Sequence, residues 1–333
     1  MKIAAILPHV EVFGGVRRYL EIGNELTGRG YFFVLFHPEG TKPDWLDFKG
    51  ITKPFSSLGE ESFDIGLCSE YSILPYFEEL KARIKFFYFV FEGHKQEKNV
   101  VRKDYIFLGN SEGLCRRLEK KYKIFCHKVP GGVNPRIFYP VKREERRDEF
   151  RILCYGRIYK RKKGVGYVIR AAEGLYKEFP QLKLVFFDSL VGKERRDPRP
   201  MIQTAVPHEF HLNLPQSRMA WLYSQADIFV SGEIRAGWSN TTAEAMACRI
   251  PVVCTRAGTQ DFAFHNKTAL LVPFPLPFLL RRQIRKLIKD ENLRHRLAEA
   301  GYKKIQEFSW SAVVDKLEKI FKERLKEASH SLR

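Results

Sequence analysis

A chain of 333 residues exceeds what one ordinary core organises and sets an expectation of two domains of roughly 150 residues each. With 44% apolar and 14% aromatic residues it is not a disordered chain, and none of its apolar runs approaches the roughly 20 residues that span a bilayer. The formal charge of +19 is uneven: residues 101–200 carry 26 Lys and Arg against 12 Asp and Glu, residues 1–100 carry 12 against 14. Such a bias suits an anionic substrate or an anionic membrane surface, and it equally suits a solvated basic face.

The opening MKIAAILPHVEVFGG reads as a first strand and not as a signal peptide, because its apolar run is short and ends at Pro8-His9. Strands are expected at 2–7, 31–36, 63–68, 84–91 and 105–108, with helices near 16–27 and 112–122. A bend through Pro130-Gly131-Gly132 and Pro135 interrupts the alternation, and the charge run 142–149 reads as an exposed linker. Strands resume at 151–155, 182–187, 209–212, 228–231, 251–254 and 269–272, with helices at 167–179, 216–225 and 241–247 between them. From Pro277 onward the pattern is helical: 279–289, 291–308 and 312–326. Alternating β and α of this kind makes parallel sheets covered on both faces. The six cysteines show no C-x-x-C or zinc spacing and are expected as buried free thiols in a reducing compartment.

Several turns stand where a strand feeds a helix, a place that offers unpaired amides and a positive dipole to an anion. Gly14-Gly15 follows the first strand, and Arg17 and Arg18 come next, where positive charge opposes the helix dipole and fits an anion better. Gly156-Arg157 through Lys163-Gly164 follows the first strand of the second half and concentrates cations at a strand end. Between residues 229 and 273 a buried strand, a Gly-bearing turn, a helix opening at Asn240-Thr241 and another buried strand follow in order. Thr241-x-x-Glu244 has the spacing of a capping box.

This last segment resembles the C-terminal signature of glycosyltransferase family 4, E-G-F-G-x-x-x-x-E-A-M-A-x-G-x-P-V-V. Gly237-Trp238-Ser239-Asn240 stands at the GFGx position and Glu244-Ala245-Met246-Ala247 is intact. Two positions depart: the family's first Glu falls on Ala236, and the Gly before Pro-Val-Val is Arg249. Gly156-Arg157…Lys163-Gly164 resembles the family's G-R-x(n)-K-G turn, and Gly131 to Pro140 its interdomain element.

The resemblance implies an α/β GT-B fold: two Rossmann-like domains facing each other across a deep cleft, with a C-terminal crossover helix. It places an acceptor domain at 1–140, completed by 311–330, and a nucleotide-sugar donor domain at 141–310. It implies a retaining, metal-independent transfer from a nucleoside diphosphate sugar to a glycan, lipid-linked or other hydroxyl acceptor. Arg157 and Lys163 would hold the diphosphate and Glu244 the donor ribose. The Gly14-Gly15 turn, Arg17 and the Gly258-Thr259 turn would serve the donor phosphate or sugar, and Ser239, Asn240 and Thr241 would open the helix beside it. His94, with Glu92 beside it, would lie near the transferred sugar. Glu233 is the carboxylate nearest in sequence to the lost Glu, and Leu212 and Asn213 would frame the base.

No cofactor, dedicated metal site or nucleic-acid partner is expected, and the location expected is the cytoplasm, with peripheral contact at the inner face of the membrane through residues 101–200. Ala236 and Arg249 keep open a catalytically silent relative that binds nucleotide sugar as a partner or regulator. A basic nucleic-acid-binding protein is a weaker alternative, since no aromatic-basic motif of the usual kinds is present.

Overall fold

The computed structural model of the chain describes residues 1–91, 93–144, 148–191 and 195–330. Contacts divide it into two compact units, Met1–Gly132 with the chain from Phe308 onward, and Val133–Glu307.

Unit 1 begins β1 (Lys2–Ile6), α1 (Gly14–Gly28), β2 (Phe32–His37), β3 (Ile51–Pro54) and β4 (Phe63–Cys68). It continues α2 (Leu74–Glu79), β5 (Ala82–Phe89), α3 (Glu97–Val100), β6 (Ile106–Gly109), α4 (Glu112–Tyr122) and β7 (His127–Lys128). Among the described residues its sheet has seven strands, ordered β3-β2-β1-β4-β5-β6-β7, and every pairing is parallel. A parallel sheet buries both faces, so its strands are apolar along their whole length. Ile3, Ala5, Leu35, Ile65, Leu67 and Phe86 pack on one face with Leu20 and Ile22 of α1. The alternate residues Ala4, Ile6, Val34, Phe36, Phe87 and Phe89 pack on the other with Phe77 and Leu118.

Unit 2 repeats the plan with β8 (Phe150–Tyr155), α5 (Val165–Tyr176), β9 (Leu182–Asp188), β10 (His208–Leu212), α6 (Gln216–Ser224) and β11 (Ile228–Ser231). It ends with α7 (Asn240–Ala247), β12 (Val252–Thr255), β13 (Leu270–Val272), α8 (Pro277–Lys289) and α9 (Glu291–Ile305). The strand order is β10-β9-β8-β11-β12-β13, again all parallel. In both units the order reverses beside the first strand, which opens a crevice at the carboxyl ends of β1 and β4, and of β8 and β11.

The final helix, α10 (Trp310–His330), returns the chain to unit 1. Its apolar stripe Val313, Val314, Leu317, Ile320 and Phe321 joins the core that α1 covers. Trp310 lies so close to Gly132 that a Cβ there would stand 2.6 Å from the indole, so that glycine in the predicted bend is required by packing.

Three sequence readings shift. The units divide at Gly132/Val133 and not at 140, because Phe138 meets the Tyr223 ring at 6.0 Å and Val141 donates its amide to Ser224 Oγ at 3.0 Å. The run expected as a linker is partly tied down: Arg143 donates to Asp227 at 2.9 Å and to the Ser224 carbonyl at 3.0 Å. The edge strands β3 and β7 were not expected, being four and two residues long and little buried.

Candidate functional site

The crevice of unit 2 collects the cations that the sequence singled out. Gly156 follows β8 where a Cβ would stand 2.5 Å from the Phe210 ring, and the chain then turns through Arg157 and a short 3-10 turn, Arg161–Lys163. Gly164 closes that turn at φ +66°, with its α-hydrogen edge against the Gly232 carbonyl, where a Cβ would come within 1.8 Å. Ile234 donates its amide to the Lys162 carbonyl at 2.8 Å, so the loops after β8 and β11 are fastened together.

That fastening brings Lys163 onto Glu233, whose side chain is buried, and Nζ donates to Oε1. The second carboxylate oxygen accepts from Ser239 Oγ at 2.6 Å. Arg157 donates through Nε and Nη2 to Asp188, at 3.1 and 2.6 Å, and through Nη2 to the Ser189 carbonyl at 3.0 Å. Its Nη1 has no partner among the described residues. Both cations stand 5.3 Å from the centroid of the Tyr155 ring. Two cations of different shape are thus held at one strand end by buried carboxylates, a bidentate fork beside a point charge.

The start of α7 lies beside them. Its N-cap is Ser239, with no side-chain cap bond, because that hydroxyl serves Glu233 and Thr242 instead. The expected capping box at Thr241 is therefore absent: Thr241 already lies inside the helix, and Glu244 accepts from the Tyr223 hydroxyl at 2.8 Å. Asn240 and Thr241 are half-buried in the first turn, whose leading amides have no carbonyl behind them to bond. Gly258, at φ +67°, presses its backbone on this turn, and a Cβ would stand 2.8 Å from the Ser239 amide nitrogen. Ser239 donates that amide to the Gly258 carbonyl at 2.9 Å. Thr259 is buried, and its hydroxyl donates to the Thr255 carbonyl at 2.8 Å, so the side chain closes the turn. Asn213 is exposed and left-handed at φ +56°, and it donates its amide to the Asp188 carbonyl at 2.9 Å. Leu212, half-buried, ends β10 just before it.

In unit 1, Gly14 and Gly15 open α1 behind Phe13, again without a side-chain cap. A Cβ on Gly15 would stand 3.9 Å from Glu70 Oε1, an ordinary contact, so packing does not demand glycine there. Arg17 lies over the Trp45 ring at 5.4 Å. Arg18 is a correction, since it turns inward and donates to the Tyr88 hydroxyl at 2.6 Å, a structural bond inside the core. His94 stacks on Tyr71 at 4.0 Å between centroids, and its Nδ1 accepts the Gln96 amide at 3.2 Å. Glu92 lies outside the described residues.

Sequence reasoning missed three partners: Asp188, Tyr223 and Glu70. Asp188 ends a buried strand and Glu70 follows one two residues on, so an acid at the carboxyl end of an apolar run was the available signal. Burial raises the Glu70 carboxyl to about 7. Among the described residues no group of three or more His, Cys, Asp or Glu could hold a metal ion, and no helix is long and apolar enough to cross a membrane. The six cysteines are free and buried.

Residues 136–304 match the family described as glycosyl transferases group 1. Among curated proteins, the chain is 28% identical over 187 residues to the capsular polysaccharide biosynthesis glycosyltransferase CapM of Staphylococcus aureus, covering 54% of this chain and 48% of that protein. It is 32% identical over 157 residues to a D-inositol 3-phosphate glycosyltransferase of Pseudarthrobacter chlorophenolicus, covering 43% and 37%. The matched stretch thus spans about half the length of these relatives or less. Among solved structures, sucrose-phosphate synthase from Thermosynechococcus elongatus superposes with a TM-score of 0.79 at 18% identity, over 98% of this chain and 99% of that one. The Anabaena protein HepE in complex with UDP-glucose superposes with a TM-score of 0.75 at 13% identity, over 97% and 100%. The fold class is GT-B, with two Rossmann-like units.

Proposed function

The chain belongs to the glycosyl transferases of group 1, and from that premise we propose that it moves a sugar from a nucleoside diphosphate donor to a hydroxyl of a glycan or lipid-linked acceptor. Family 4 is the subtype that its motifs match, with retention of anomeric configuration and no essential metal. The observation that carries the reading is the meeting of Lys163, Arg157 and the uncapped start of α7 at the crevice of unit 2.

Departure of a nucleoside diphosphate builds negative charge on the leaving phosphate. Fixed cations and helix-end amides lower the barrier because they need no reorganisation as that charge develops. Lys163 has further donors beyond its bond to Glu233, and Arg157 keeps one edge open while Asp188 fixes the other. Glu244, tied to Tyr223, is assigned the ribose hydroxyls. Glu233 acts by positioning Lys163, which differs from the sugar contact that the missing Glu makes in the family. In unit 1, Gly14-Gly15 and His94 are assigned to the sugar and acceptor side. Retention follows if the leaving phosphate assists the acceptor on the same face. The HepE complex makes UDP-glucose the first donor to try, and CapM makes a cell-surface polysaccharide the first acceptor class.

The test is turnover across a panel of nucleotide sugars, with nucleoside diphosphate affinity measured by calorimetry. Lys163→Ala and Arg157→Ala should each lower turnover by about 100-fold or more, and the double variant should lose nucleoside diphosphate binding. Unchanged affinity in the double variant would refute the assignment. Ala236, which offers no carboxylate, favours one second reading: a silent relative would bind the nucleotide tightly yet show neither transfer nor slow hydrolysis.

A further inference from the structure

We propose that the segment from Phe264 to Lys289 of unit 2 is a docking surface for an anionic lipid bilayer. Phe274, Leu276 and Phe278 are 66%, 41% and 58% exposed, a concentration of large apolar side chains in five residues that water alone does not explain. Phe264, 40% exposed, adds a third ring just ahead of β13, with Lys304 Nζ 5.8 Å from its centroid.

The loop that displays them is stiff. Pro273, Pro275 and Pro277 alternate with the apolar residues, Pro275 is buried, and Pro277 begins α8. Proline fixes φ, so the side chains are held out with little entropy left to lose on docking.

Charge selects the partner. From Phe262 to Lys289 the chain carries six Lys and Arg and no Asp or Glu. On α8, Arg285 and Lys289 share one carboxylate, Glu178, at 2.7 and 2.9 Å. Arg282 and Lys286 are exposed and take no ion pair among the described residues. The inward stripe of the same helix, Leu280, Ile284 and Leu287, is already spent on the core. Protruding aromatic and aliphatic side chains beside unpaired cations suit the boundary between lipid headgroups and acyl chains, with anionic headgroups meeting the cations. An acidic protein partner would satisfy the charge but would leave the protruding rings needing a pocket.

Topology gives the docking a direction. All strands of unit 2 run parallel, so the loop after β13 leaves the same edge of the sheet as the loops after β8 and β11 that carry Lys163, Arg157 and Glu233. The 274–278 loop and the candidate donor site thus lie at the same edge of the sheet, which suits a lipid-borne acceptor. Basic residues 101–200, the stretch first suggested for a membrane, are not needed for this contact.

The experiment is flotation with vesicles of phosphatidylcholine alone, and with vesicles in which phosphatidylglycerol replaces about a third of it. It is read without turnover, so its outcome is separate from that of the transfer reaction. The full chain should float with the anionic vesicles and not with the neutral ones. Arg282→Gln and Lys286→Gln should each weaken binding by about fivefold, and the triple variant Phe274→Ser, Leu276→Ser, Phe278→Ser should abolish it. Neutralising Lys120 and Lys121 should leave it unchanged. Circular dichroism melting of each variant confirms that the fold survives. Binding that ignores the 274–278 and 282/286 variants, or that is equal on neutral vesicles, would overturn the proposal. So would concentration-dependent self-association lost in the triple variant, which would make the patch an interface between copies of this chain.

Discussion

Glu70 has exchanged solvent for the crevice of unit 1, and burial lifts its carboxyl to about 7 from the ordinary 4.5. Between those values the folded chain keeps a proton that the unfolded chain has released, so stability falls as pH rises through that window. The full effect is on the order of 2–3 kcal/mol. Glu70→Gln keeps the neutral hydrogen-bonding shape at every pH. Urea midpoints at about pH 5 and about pH 8 should therefore show the variant gaining on the wild type with rising pH; parallel midpoints would remove Glu70 from the account. The sequence offered only the position of Glu70 just past an apolar run, and the burial that lifts its carboxyl comes from the fold. The run of cations after a buried strand marked a candidate anion site, and the resemblance singled out Lys163 and Arg157 within it. Their partners Glu233 and Asp188 come from other strands and depend on the sheet order.

Among the elements, α7 is the most instructive. It was expected to open at Thr241, and it opens one residue earlier because Ser239, buried between Glu233 and Thr242, takes the capping position without capping. A spacing rule finds a potential box, but a buried carboxylate competing for the same hydroxyl decides against it. The other end of α7 leads to Arg249, left-handed at φ +59°, with its guanidinium 4.6 Å from the Tyr302 ring and 3.2 Å from Glu299. Glycine is the residue that this backbone suits, and glycine is what the family pattern carries at this position. Arg249→Ala and Arg249→Gly lose the same contacts, but only glycine relieves the backbone. Glycine should therefore be the more stable replacement by about 1 kcal/mol, the reverse of their order inside a helix. Thermal melting of the two variants decides it, and an Ala variant as stable as Gly would contradict the strain. The strands of both sheet interiors were readable from continuous apolar runs, whereas β3 and β7 were not, since edge strands carry too little burial to leave a pattern.

At the scale of the molecule, each unit has its own sheet and its own core, but their covalent layouts differ. Unit 2 is one uninterrupted stretch from Val133 to Glu307, and unit 1 is made of two. Residues 133–307 expressed alone should fold cooperatively and bind the nucleoside diphosphate proposed as ligand with an affinity within about threefold of the whole chain's, because Arg157, Lys163, Glu233 and Glu244 all lie inside it. Circular dichroism and calorimetry on that fragment would check both parts, and a folded fragment without affinity would place essential donor contacts in unit 1. Residues 1–132 alone should not behave this way, since they lack the helix that covers α1.

The split layout also governs how the protein comes into being. A ribosome delivers β1 and α1 before unit 2 and α10 after it, so the apolar surface of Val16, Tyr19 and Leu20 must wait for Val314, Leu317 and Phe321. In the interval the whole of the uninterrupted half is made and can close on itself. The half that is born first is the half that matures last, and while nascent it carries an uncovered greasy flank that chaperones would have reason to shield.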